Sequence, residues 1–102
     1  MNEIARYTTP AITFKPSAVG VGDIDEIYLV IKQYGAEVLR KGKTEATTNE
    51  NSFTWLFTQA DTAKLAPDVT SVVQIDYLTG ATRYTTRPKM FVITESAISE
   101  VI

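Results

Sequence analysis

The chain contains no cysteine and no histidine. Together these absences exclude zinc sites of the Cys/His kind, thiol nucleophiles, Ser-His-Asp triads and CxxC redox pairs. A chain without disulfides fits a protein made in a reducing cytoplasm. Excess charge of either sign is also missing. Ten Lys and Arg meet twelve Asp and Glu, for a net charge of −2. A dedicated nucleic-acid binder needs a surplus of cations, so no nucleic-acid partner is expected. No apolar run approaches the ~20 residues that span a bilayer. The first residues, Met1 to Tyr7, lack a basic stretch followed by an apolar one. Neither a signal peptide nor a membrane partner is therefore expected. Gly20-Val21-Gly22 lacks the third glycine and the following helix of a phosphate-binding loop. No cofactor, no metal and no small-molecule substrate are expected. No nucleophile–base pair can be named, so the chain is not expected to be an enzyme.

What is present is enough for one core. With 102 residues and 44% apolar content, the chain reads as a single domain over 1–102. It can bury roughly 65% of the surface its unfolded form exposes.

The hydrophobic pattern alternates with period two rather than 3.6. Ala11 to Lys15 alternates between Pro10 and Pro16, which marks an edge strand. Residues 18–23 read as a loop. Asp25 to Tyr34 is a long strand with Ile27, Leu29 and Ile31 on one face. Tyr34-Gly35 turns it into a second arm, Ala36 to Lys41. That turn predicts Lys32 opposite Glu37 and Ile31 opposite Val38. Residues 47–52 read as a polar loop. Phe53, Trp55 and Phe57 alternate along a core strand. Thr58 and Asp61 then form a capping-box variant that opens one helical turn near residues 59–64, ended by Pro67. Val69 to Leu78 is a second long strand. A turn at Thr79-Gly80 predicts Asp76 opposite Arg83 and Ile75 opposite Tyr84. Arg87-Pro88 interrupts, Met90 to Ile93 is a last strand, and residues 96–102 form a tail.

The expected fold is all-β: an immunoglobulin-like β-sandwich of about six to eight short antiparallel strands. The expected core is Ile27, Leu29, Ile31, Trp55, Phe57, Val73, Ile75 and Phe91.

Few residues suggest chemistry. Asp23, Asp25 and Glu26 cluster at a strand start, but their spacing matches no calcium loop, and a solvated strand end is the plainer reading. Arg40-Lys41-Gly42-Lys43, with Arg83, Arg87 and Lys89, reads as a protected sheet edge rather than a phosphate site. Trp55 with Tyr7, Tyr28 and Tyr34 is the one conceivable sugar-stacking set. Trp55 shares a face with Phe53 and Phe57, which favours the core. Tyr28 lies on the less apolar face of its strand and is the better exposed aromatic.

The run Phe-Thr-Trp-Leu-Phe-Thr-Gln-Ala-Asp-Thr at 53–62 resembles a block found in small proteins of phages and prophages of Gram-positive bacteria. Val-Val-Gln-Ile-Asp-Tyr at 72–77, the hairpin around Thr79-Gly80 and Ser-Glu-Val-Ile at 99–102 fit the same pattern. Those proteins resemble the N-terminal sandwich domains of tail and baseplate proteins. The likeness spans about residues 8–102, with its specific part at 53–78. This chain has Ala60 where an acidic residue is common. The resemblance implies a virion building block made in the bacterial cytoplasm, virion-associated if the prophage is active, with no catalytic residues. Its partners would be itself or other virion proteins. The alternative is a carbohydrate-binding module. Interface residues are expected at Tyr28, Ile98, Val101 and Ile102, the last three because apolar side chains in so short a tail must fold back or dock on another chain.

Overall fold

The structure, a computed structural model, describes residues 2–102. It contains nine strands among the described residues: β1 Asn2–Ala5, β2 Ala11–Phe14, β3 Glu26–Gln33, β4 Ala36–Lys41, β5 Ala46–Thr48, β6 Phe53–Leu56, β7 Thr70–Thr79, β8 Thr82–Thr85 and β9 Lys89–Thr94. One α-helix among the described residues, α1 Gln59–Ala63, joins β6 to β7, and two short 3-10 turns lie at Val21–Asp23 and Lys43–Glu45. The large sheet runs β1-β9-β7-β3-β4, with β8 also on β7; the small sheet runs β2-β6-β5.

Alternation places the core between the sheets. Ile27, Leu29 and Ile31 of β3 face Phe53 and Trp55 of β6, and all five are at most 1% exposed. Phe57, Ile75 and Phe91 are also buried. Val73, expected in the core, is only half-buried, because the narrower small sheet does not roof it fully. The core also takes in Ile24, Leu65, Tyr77 and Ile93. The sheets are tied by Phe14 on β2, whose ring lies 5.5 Å from that of Tyr77 on β7.

The first hairpin matches its turn chemistry. Tyr34 and Gly35 both have positive φ, 55° and 75°, as a two-residue I′ turn requires. Lys32 faces Glu37 as expected, but Ile31 faces Leu39, not Val38. A bulge absorbs one residue there, so Leu39 is buried while Val38 stays half-buried. The second hairpin turns one residue later than expected. Gly80 carries φ 57° at the first central position of the loop Gly80-Ala81, where a II′ turn wants glycine. The direct partners are therefore Asp76 with Thr85 and Tyr77 with Tyr84, not Arg83 and Ile75. The tyrosine rings stack at 5.1 Å. Asp76 still reaches Arg83 diagonally, at 2.6 Å.

Strands β8 and β9 lie on the same side of β7, so they act as one strand broken at Thr86-Arg87-Pro88. Thr86 bridges the break. Its N–H donates to the Ile75 carbonyl at 2.9 Å, and its hydroxyl accepts from the Ile75 N–H at 3.0 Å. Pro88 lies at the break, outside both strands, where its missing N–H removes no ladder bond.

Two strands were not expected. β1 carries one clear apolar residue, Ile4, and forms only by pairing with β9. That pair is parallel, so the sheet is not wholly antiparallel. β5 is Ala-Thr-Thr, read from sequence as partly loop; its pairing is supplied by β6.

α1 forms because its first turn is capped reciprocally. The Thr58 hydroxyl accepts from the Asp61 N–H at 3.1 Å, and the Asp61 carboxylate accepts from the Thr58 N–H at 2.9 Å. Thr58→Ala is expected to lower stability by about 1 kcal/mol. Urea titration checks this, and Thr58→Ser should retain most of the wild-type value.

Candidate functional site

Three surface features could support function. The first is the outer face of the large sheet. Tyr28 and Glu26 of β3, Arg40 of β4, Asp76 and Leu78 of β7 and Arg83 of β8 line a shallow depression of about 480 Å³. Its polar groups already satisfy one another. The Tyr28 hydroxyl donates to Glu26 Oε2 at 2.8 Å, which raises the phenol above its ordinary value. The Arg40 guanidinium sits 5.5 Å from the Tyr28 ring and bonds Glu37 at 2.7 Å. Arg83 bonds Asp76. None of these groups is poised as an unpaired acid or base.

The second feature is apolar. Leu56 is 64% exposed on the outer face of β6, and Val101 is 61% exposed. Together with Thr9 and Ala60 they line an open hollow of about 570 Å³. Gln59 holds Ile102 by its backbone, accepting from its N–H and donating to its carbonyl, both at 2.8 Å. The tail is thus anchored by polar groups, while Ile98 and Ile102 remain 52% and 83% exposed. The expected interface residues fall on two surfaces: Tyr28 on the large sheet, and Val101 beside the small one. Sequence reasoning passed over Leu56, although the alternation that buries Phe53, Trp55 and Phe57 also points Leu56 outward.

The third feature is a groove of about 370 Å³ on the open side of the sandwich. Ile12 and Phe14 of β2 and Val73 and Ile75 of β7 form its floor, and Lys15, Arg87 and Lys89 border it.

The other sequence candidates are accounted for structurally. Asp25 accepts from the Gly80 N–H at 2.7 Å and pins the second hairpin turn. Among the described residues no group of three Asp or Glu could hold a metal. Lys41 pairs with Asp61 at 2.9 Å, and Lys43 donates to the Ile24 carbonyl at 2.8 Å. Trp55 is fully buried and donates to the Gly42 carbonyl at 3.0 Å. Tyr34 stands alone at its turn, 85% exposed, and Tyr7 lies beneath Arg6. The four aromatics weighed as a sugar platform are not brought together. No helix among the described residues is long and apolar enough to cross a membrane.

Three carboxylates, Asp61, Asp76 and the exposed Glu95, are held below their usual range, and the two half-buried ones, Asp61 and Asp76, carry the pH dependence of stability. Burial opposes ionisation of Asp61, but the Thr58 N–H and Lys41 outweigh it and hold the carboxyl below its usual range. Bonds from Thr85 and Arg83 overcome burial at Asp76 in the same direction. Folded values below the unfolded value of about 3.9 contribute stability that is present above it and lost as pH falls through the folded values. Thermal melts should therefore drop progressively below about pH 4. Asp61→Asn should start lower at neutral pH and lose less on acidification; equal acid losses in both proteins would contradict this.

The strand arrangement decides the fold class. β2-β6-β5 stacked on β9-β7-β3-β4 reproduces the B-E-D and G-F-C-C′ sheets of immunoglobulin domains. The fold is an immunoglobulin-like β-sandwich. Phe14 and Tyr77 meet on the strands that antibody domains join by a disulfide. Among solved structures, the chain is similar to murine CRIg, with 7% identity, a TM-score of 0.46, and coverage of 92% of this chain and 90% of that one. It is also similar to the V domain of amphioxus IgVJ-C2, with 6% identity, a TM-score of 0.38, and coverage of 92% and 99%. No family profile matches the sequence. No curated protein matches it.

Proposed function

We propose that this chain is a non-enzymatic assembly domain acting through protein–protein contacts, as a building block of a phage or prophage tail or baseplate. The observation that carries the contact role is the set of large apolar side chains left on the surface. Leu56, Met90, Ile98, Val101 and Ile102 are each more than half exposed. Leu56 and Val101 share one hollow, and grouped exposed apolars mark interaction surfaces where scattered ones do not. The virion setting rests on the sequence resemblance at 53–78. On that reading the partners are further copies of the chain or other virion proteins, and the protein is made in the bacterial cytoplasm and is virion-associated if the prophage is active.

The alternative, a carbohydrate-binding module, needs an exposed aromatic platform. The burial of Trp55 takes away its largest ring. The two readings separate in one experiment. The purified chain is mixed with the proteins encoded beside it and run by gel filtration, and in parallel titrated with soluble oligosaccharides. A stoichiometric protein complex with no sugar heat is expected. Saturable sugar binding without any protein complex would overturn the proposal.

A further inference from the structure

The groove beside β2 has features that belong together. Among the described residues β2 ends the small sheet and pairs only with β6, so its other edge offers unpaired backbone groups. Pro10 and Pro16 bracket it, which limits the available edge to a short stretch. Ile12, Phe14 and Val73 are only half-buried, and no further strand among the described residues covers them. The border of the groove is basic: Lys15, Arg87 and Lys89 line it with no carboxylate among the described lining residues, and none of the three appears in an ion pair among the described residues. This is a local cationic site on a chain whose net charge is −2.

The same chain carries a segment of the opposite character. Residues 96–102 contain Ile98, Val101 and Ile102 with one charge, Glu100. In an extended strand Ile98, Glu100 and Ile102 share a face, which matches an apolar floor bordered by cations. Seven extended residues reach about 23 Å, longer than the four-residue β2. Within its own molecule the segment is held at the surface by Gln59 and by the Ser99–Glu95 bond.

We infer that the groove along the free edge of β2 is the acceptor for residues 96–102 of a second copy, which adds as a strand to the small sheet. The inference rests on the proposed assembly role and names its contact. Backbone bonds to β2 supply affinity, Ile98 and Ile102 fill the floor, and Lys15, Arg87 and Lys89 select for Glu100. Donor and acceptor are different surfaces, so one copy can engage two different neighbours, and the contact then builds rings or open filaments.

The test uses two full-length variants altered at exposed positions, each checked for folding by circular dichroism. Arg87→Glu with Lys89→Glu can donate but not accept. Ile98→Ser with Ile102→Ser can accept but not donate. The wild-type chain is expected to form species larger than a pair, each variant alone to be monomeric, and their mixture to stop at a one-to-one pair. A monomeric wild type, a variant that oligomerises alone, or a mixture that stays monomeric would each overturn the inference. As a second reading, a fluorescent peptide of residues 95–102 should bind the wild type, with affinity falling about tenfold or more in the charge-reversed variant and with rising salt. Equal binding to both proteins would equally overturn it. Complexes with neighbouring-gene products that survive in both variants would leave the assembly role standing while the groove assignment falls.

Discussion

Trp55→Ala is expected to lower the free energy of unfolding by about 3–5 kcal/mol. Trp55 is 0% exposed, stacks on Phe53 with ring centroids 6.1 Å apart, and faces the inner side of β3. Its removal leaves a cavity at the centre of the sandwich, where both sheets are held by backbone ladders and cannot collapse inward. The indole N–H bond to the Gly42 carbonyl adds a second loss, because that bond ties the end of β4 to β6. Trp55→Phe separates the two terms. It keeps most of the volume and should cost less than the alanine change, mainly through the unpaired carbonyl. Domains of this size have total stabilities of about 5–15 kcal/mol, so the alanine change removes a large part of the total. Chemical denaturation measures both variants. A loss below about 1 kcal/mol for alanine, the size of an ordinary surface change, would contradict the burial of Trp55.

Gln33→Leu is expected to cost about 3 kcal/mol despite being nearly isosteric. Gln33 ends the inward face of β3 and is 5% exposed. Its amide makes three bonds: Nε2 donates to the Ala66 carbonyl at 3.0 Å and to the Ser71 hydroxyl at 2.9 Å, and Oε1 accepts from the Ala66 N–H at 2.9 Å. The side chain therefore replaces a strand partner for the segment between α1 and β7. Leucine leaves the Ala66 groups and the buried Ser71 hydroxyl without partners, and each such loss costs about 1–3 kcal/mol. Ser71→Ala removes a single bond and should cost about 1 kcal/mol. Amide exchange should accelerate most at Ala66 in the leucine variant. Unchanged protection there would show that Gln33 does not hold the segment.

The strongly patterned elements were legible in the sequence because one local rule fixed each of them. Alternation gave β3, β6 and β7. Turn residues gave the first hairpin. Thr58 and Asp61 gave α1 and its cap. What failed needed information from elsewhere in the chain. β1 and β5 have little pattern of their own and exist because β9 and β6 offer edges. The bulge at Val38 turns Leu39 rather than Val38 inward, and strict alternation cannot foresee an inserted residue. The shift at Gly80 changes partners without changing faces, and alternation reports faces only. Gln33 reads as one more polar strand residue until Ala66 and Ser71 are beside it. The candidate surfaces were half visible. The tail apolars stand out by composition, but the groove joins Lys15 to Arg87 and Lys89 across more than seventy positions, and only the fold brings them to one opening.

The central claim is that the exposed surfaces of this sandwich serve contacts between proteins. Sedimentation velocity over a hundredfold range of concentration tests it most directly. The account predicts a mass that rises above the 11.3 kDa of one chain as concentration increases. A mass fixed at one chain throughout, alone and in the presence of the proteins encoded beside it, would contradict it.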